Sequence, residues 1–149
     1  MVYTVIALLR RRSDITPEQF RTHYDTVHIA LLKSLVGADF PLTHVRNYVS
    51  FSPGGGDGSA DTTMMPTLLA KDSVDNHFFP VVLQGKPSDI TFDVVTVMTW
   101  EDEQAHQRFA KRFASDLVTQ EINADEENFL DRDHKLVFTV IQPVVTQRG

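Results

Sequence analysis

The chain contains no cysteine, which at once excludes a disulfide framework, a thiolate metal site and a cysteine nucleophile. Positive charge is scarce. With 14 Lys and Arg against 20 Asp and Glu, the formal net charge is -6, and no basic stripe is present to neutralise a phosphate backbone, so nucleic acid is not expected as a partner. Long apolar runs are missing too. The N-terminal "VYTVIALL" falls far short of the roughly 20 residues a membrane helix needs, and its charges follow the apolar run, whereas a secretory signal has them before it. A soluble, cytoplasmic protein with no membrane partner is the expectation. No His-Glu-x-x-His or dense Asp cluster occurs, and "PGGGDG" lacks the Lys-Ser/Thr of a phosphate loop and does not open a helix, so no metal and no cofactor are expected.

What the chain does have is enough apolar residues, 42% of 149, for one core and hence one domain over residues 1–149. "VYTVIALL" at 2–9 is rich in β-formers and reads as a strand. In "TPEQ", Thr16 can cap a helix, Pro17 suits its first turn and Gln19 completes a capping box. Phe20, Tyr24, Val27, Leu31 and Leu35 then form one apolar stripe that ends at Gly37. Strands are predicted at 43–51 and 90–100, a helix carrying Ala105, Phe109, Phe113 and Leu117, a short helix or turn at "DEENFLDR", and a last strand at 135–145. Between the second and third strands, about 52–89, lies a long interval holding Met64, Met65, Leu68, Phe78 and Phe79, too apolar for a solvated linker and read as a lid or binding loop.

This order predicts an α+β, ferredoxin-like βαββαβ fold with a four-stranded antiparallel sheet and both helices on one face. A sheet covered on one side should alternate apolar with polar residues. Here Tyr3, Val5, Ala7 and Leu9 are opposed by Val2, Ile6 and Leu8, and Leu136, Phe138 and Val140 by Val137 and Ile141. The uncovered face therefore needs a partner, most simply a second copy, giving a homodimer.

The stretches "TPEQFRTHYDTVHIALLKSL", "HVRNYVSF", "FDVVTVMTWED" and "DEENFLDRDHKLVF" together resemble the EthD family of the dimeric α+β barrel group. Its pattern of Phe, an aromatic, then Val-His in the first helix matches Phe20, Tyr24, Val27 and His28, and its Phe-Leu-Asp-Arg turn matches Phe129 to Arg132. Two positions depart from it. Tyr24 stands where tryptophan is frequent, adding a hydroxyl, and Ile29 and Ala30 replace a Gly-Pro that commonly follows the histidine, letting the helix continue. The resemblance implies a homodimer with a cavity between helices and sheet. Since some fungal relatives are thought to serve polyketide pathways as decarboxylases or dehydratases, it also implies a small aromatic or polyketide-like ligand.

On a regular helix His23 and His28 lie about 140° apart, so they cannot share a metal, and His23 is expected in solvent. His28 sits at the edge of the apolar stripe beside Tyr24, with Asp25 one turn earlier on its polar side, so His28 and Asp25 are the candidate acid/base pair and Tyr24 lines the site. The competing reading is a half-buried histidine held by a local hydrogen bond. His44, Arg46 and Tyr48 share one face of the second strand and either line the cavity or form a polar dimer seam, with Arg46 assigned to the seam. Asp93 is either a buried carboxyl able to handle protons or the exposed start of a strand. His77, Phe78 and Phe79 either close over a flat substrate or plug the barrel rim.

Taken with these residues, the resemblance implies a cofactor-independent tailoring enzyme acting by decarboxylation, dehydration or cyclisation. Two alternatives stay open: a cofactor-free quinol monooxygenase and a non-catalytic small-molecule binding module.

Overall fold

The computed structural model of the chain describes residues 1–52 and 78–149. Strand β1 (Tyr3–Leu9) leads to helix α1 (Pro17–His23), a π turn (Tyr24–His28) and α2 (Ile29–Val36). Then follow β2 (Thr43–Tyr48), the short β3 (Phe51–Ser52) and β4 (Phe79–Pro80), β5 (Val94–Trp100), α3 (Glu103–Phe113), α4 (Asp116–Glu126) and β6 (Leu136–Val140). The main sheet runs β2-β5-β1-β6 and is antiparallel throughout. This is the expected α+β ferredoxin-like arrangement. Among the described residues no helix is long and apolar enough to cross a membrane.

The first helix begins as its sequence dictates. Gln19 N–H donates to the Thr16 hydroxyl at 3.0 Å, and Thr16 N–H donates to Gln19 Oε1 at 2.9 Å, so two donors that the helix start would orphan are satisfied reciprocally. Its interior departs from the regular helix the apolar stripe suggests. Across the π turn, Ile29 N–H reaches back five residues to the Tyr24 carbonyl, which takes up one extra residue and rotates everything beyond it. Val27, expected on the stripe, is left 46% exposed, while His28 turns inward.

A second phase change comes after β5. The single helix expected from Ala105 to Leu117 is two, broken at Ser115, whose backbone is extended and whose hydroxyl donates to the Arg112 carbonyl. The break moves Leu117 outward, 65% exposed, and puts Val118 and Ile122 into the core. The second strand also divides: β2 stops at Tyr48, and β3 pairs with β4, Phe51 opposite Pro80 and Ser52 opposite Phe79. Residues 53–77, with Met64, Met65, Leu68 and His77, lie outside the described residues, so the lid reading concerns only the ends of the interval here.

Strand register sorts the sheet residues. Val5, Ala7 and Leu9 pair with Met98, Thr96 and Val94, and these in turn with His44, Arg46 and Tyr48. That parity is the helix-covered side, for Val5, Ala7, Leu9, Val94 and Thr96 are buried. Arg46 thus faces the helices and does not belong to a seam on the open face. One core cluster centres on Val5, Trp100, Phe109 and Ile122. The other joins Leu9, Phe20, Tyr24, Val94 and Phe129 and forms the floor of the candidate site. Each large side chain withdrawn in these clusters contributes about 1.5–3 kcal/mol. The opposite side carries Ile6, Leu8, Val45, Val95, Val97, Leu136, Phe138 and Val140, and among the described residues no helix covers it; Val45 and the three β6 residues are exposed.

Candidate functional site

The polar groups of the first helix fall into two clusters that meet at Tyr24. In the inner cluster His28 Nδ1 lies 2.8 Å from Asp125 Oδ2, and His23 Nε2 lies 2.9 Å from Asp125 Oδ1. One carboxylate at the end of α4 therefore holds two imidazoles. The π turn makes this possible. A regular helix would splay residues five apart, whereas the i→i+5 repeat stacks them on one side. Burial alone would raise the Asp125 carboxyl, but hydrogen bonds from His28 and His23 outweigh it and hold it below the ordinary carboxylate value. An ionised carboxylate can only accept, so His28 carries its proton on Nδ1 and keeps Nε2 basic. Burial lowers the His28 pKa, and the bond to Asp125 opposes that shift only in part. Phe129 packs on both histidine rings, at 4.7 Å from His23 and 4.9 Å from His28 between centroids.

This corrects two expectations. Asp25 does not orient His28, because its carboxylate is turned to the sheet, and His23 is not a solvated residue. The sequence offered no cue that Asp125, 97 positions from His28, would take the role.

In the outer cluster, Asp25 Oδ1 accepts from Arg46 Nε at 2.7 Å and from the Tyr48 hydroxyl at 2.5 Å. Its other oxygen, Oδ2, stands 3.7 Å from Arg21 Nε, beyond hydrogen-bond reach. Burial would raise the Asp25 carboxyl, but the hydrogen bonds from Tyr48 and Arg46 and the nearby guanidinium charges prevail and hold it down. Tyr48 moves the other way, raised by burial and by donating to Asp25, so it stays a neutral phenol. His44 is pushed down to about 4 by burial and then by the Arg46 charge; its ring stacks on Phe40 and its Nδ1 is 3.0 Å from Arg46 Nη1.

Tyr24 joins the clusters. Its ring contacts both Tyr48, at 6.3 Å, and His28, at 5.6 Å. Its hydroxyl shares a 3.0 Å hydrogen bond with the buried Thr96, and burial pushes its pKa up to about 12.

Beside α1 runs a groove of about 630 Å³. Phe20, Phe51 and Phe78 supply aromatic walls, and Asp25, Tyr48 and Asp93 polar ones. Asp93 is buried just before β5, neither a strand's exposed start nor an isolated carboxyl. Its Oδ1 accepts from Arg11 N–H at 2.8 Å and its Oδ2 from Arg11 Nε at 3.0 Å. Of the residues expected around the ligand, Tyr48, Phe78, Asp93 and Asp25 border the groove; Tyr24, His28, His44 and Phe79 do not, and His77 is outside the described residues. Among the described residues no group of His, Asp and Glu side chains is placed to hold a metal.

The fold is similar to that of an EthD family protein from Bacillus halodurans, at 14% identity and a TM-score of 0.51 over 96% of this chain and 100% of that one. A dimeric ferredoxin-like protein of unknown function from Thermobifida fusca aligns over 94% of this chain and 90% of its own, at 12% identity and a TM-score of 0.46. No curated protein matches the chain. The model of the EthD domain matches residues 12–133, from the arginine cluster after β1 through α1 to α4 and on to the turn before β6, and the chain belongs to the EthD family.

Proposed function

We propose that the protein is a cofactor-independent tailoring enzyme for an aromatic or polyketide-like small molecule, acting by decarboxylation, dehydration or cyclisation through acid/base chemistry. The observation that carries this reading is the groove itself: aromatic walls, with one ionised carboxylate, Asp25, fixed at its polar end through Oδ1. A planar ligand lies against Phe51 and Phe78 and donates a hydroxyl to Asp25 Oδ2. A carboxylate held this low is a weak base, so it orients a phenolic or enolic hydroxyl by a charge-assisted hydrogen bond and takes up that proton only as the reaction makes the donor more acidic. Tyr48, kept neutral, holds the carboxylate in place through its one hydroxyl proton.

A second reading puts the proton transfer on His28. The bond from His28 Nδ1 to Asp125 favours it, because it leaves Nε2 basic in an aromatic surround. That reading requires a ligand to pass Tyr24. Parallel turnover assays on Asp25→Asn and His28→Ala proteins separate the two, the responsible variant losing roughly 10² to 10⁴-fold. Turnover that stops without oxygen would support a quinol monooxygenase instead, and a ligand recovered unchanged after long incubation would support a binding module.

We also propose that two copies pair through the helix-free sheet face. Val45, Leu136, Phe138 and Val140 on that side form an apolar surface that the other described residues leave exposed.

A further inference from the structure

The aromatic wall of the groove has a cation behind it. The Arg11 guanidinium carbon sits 5.6 Å from the Phe51 ring centroid and 6.0 Å from that of Phe78, within the range of cation–π attraction. Both rings border the groove, and both also border a second cavity, of about 210 Å³, that includes Arg11. Arg11 is absent from the groove's lining, so the two rings, and not the guanidinium, meet the ligand space. The cation is held there. Arg11 is only 4% exposed, donates from N–H and Nε to Asp93, and places Nη1 2.6 Å from the Ile15 carbonyl.

The consequence is electronic. A ring's face is negative because of its π density, and a cation on one face draws that density away from the other. The outer face then attracts electron-rich partners better than electron-poor ones. Asp93 offsets part of the guanidinium charge, which weakens the effect, while burial removes the water that would screen it.

We propose that Arg11, seated on Asp93, is a specificity-determining residue that tunes Phe51 and Phe78 to stack electron-rich aromatic rings, so that the ligand class is oxygen-substituted, electron-donating aromatics. The inference rests on the groove being the ligand site and narrows what that site selects.

Calorimetry with a dimethoxynaphthalene and the dinitronaphthalene of the same substitution pattern tests it, since neither can donate a hydroxyl to Asp25. The wild type is expected to bind the dimethoxy compound about three- to fivefold tighter. In an Arg11→Met/Asp93→Asn protein, where the amide oxygen introduced at position 93 can still accept from the backbone N–H of position 11, the ratio should fall toward one. Phe78→Leu keeps the ion pair and should lower the preference in the same direction, so the test survives if the double variant does not fold. Equal binding of the two probes to wild type, or a preference unchanged in both variants, overturns the inference and leaves the groove reading standing. Binding of neither probe, nor of any hydroxylated planar aromatic, overturns both.

Discussion

His28 Nδ1 and Asp125 Oδ2 meet at 2.8 Å across 97 residues of chain, and the same carboxylate takes His23 on its other oxygen. Two helical segments on the same sheet face are thereby tied by one anion. Asp125→Ala strands two imidazole donors in a poorly hydrated place, each costing about 1–3 kcal/mol if left unpaired. A drop in urea stability of about 2 kcal/mol or more is the expected result, with Asp125→Asn milder because its amide oxygen still accepts. An unchanged urea midpoint for Asp125→Ala would show the bridge to be dispensable.

The histidines also set a pH dependence. Burial lowers the folded pKa of His44 from 6.5 to about 4 and lowers that of His28 as well. The unfolded chain therefore binds protons first, and stability present above the ordinary value of 6.5 is lost as pH falls from there toward the folded values. Asp25 and Asp125, whose folded pKa values are depressed below 3.8, contribute stability that is lost only in more acidic solution. Thermal melts across this range should show a decline between pH 6.5 and about 4 that His44→Gln reduces. A flat profile through that window would contradict the buried, neutral state of these rings.

Tyr48→Phe tests the outer cluster. Loss of the 2.5 Å hydrogen bond removes one of the groups that keep the Asp25 carboxyl low, so its pKa should rise, measurable by carboxyl carbon NMR. Affinity for a hydroxylated planar aromatic should fall about three- to tenfold as the carboxylate loses its fixed orientation. If neither the titration nor the affinity moves, Tyr48 does not hold Asp25.

The proposed dimer has a direct check. Phe138→Lys places a charge on the open sheet face, midway along the edge strand β6 and away from the helix-covered core. Light scattering should find the wild type dimeric at micromolar concentration and the variant monomeric. A wild-type monomer at that concentration would remove the assembly.

Much of the fold was legible because it rests on periodicity and caps. The Thr16–Gln19 capping box places the helix start, and the β-rich stretches around Val5, Val97 and Phe138 identify three strands, although β5 begins at Val94 and not at 90, and β6 ends at Val140 and not at 145. What was not legible is a change of helical phase. Nothing in "HYDTVH" announces a π turn, and 100° per residue put Val27 inside and His23 outside when the reverse arrangement serves Asp125. Partners also escaped the sequence wherever they lay far along the chain. Asp25 was the nearest acidic residue to His28, so local spacing favoured it, whereas Arg46 and Tyr48 claim it from the neighbouring strand. Parity did identify His44, Arg46 and Tyr48 as one face, and strand register then decided which side that face is on.

The central claim is that the ligand meets Asp25 in the groove beside α1. Isothermal titration of a dihydroxyanthraquinone into wild-type, Asp25→Asn and His28→Ala proteins tests it most directly. The account predicts that Asp25→Asn weakens binding about tenfold, the order expected for a hydrogen bond to a charged acceptor, while folded His28→Ala binds as wild type does. Undiminished affinity in Asp25→Asn, or affinity lost in His28→Ala alone, would place the ligand elsewhere and contradict it.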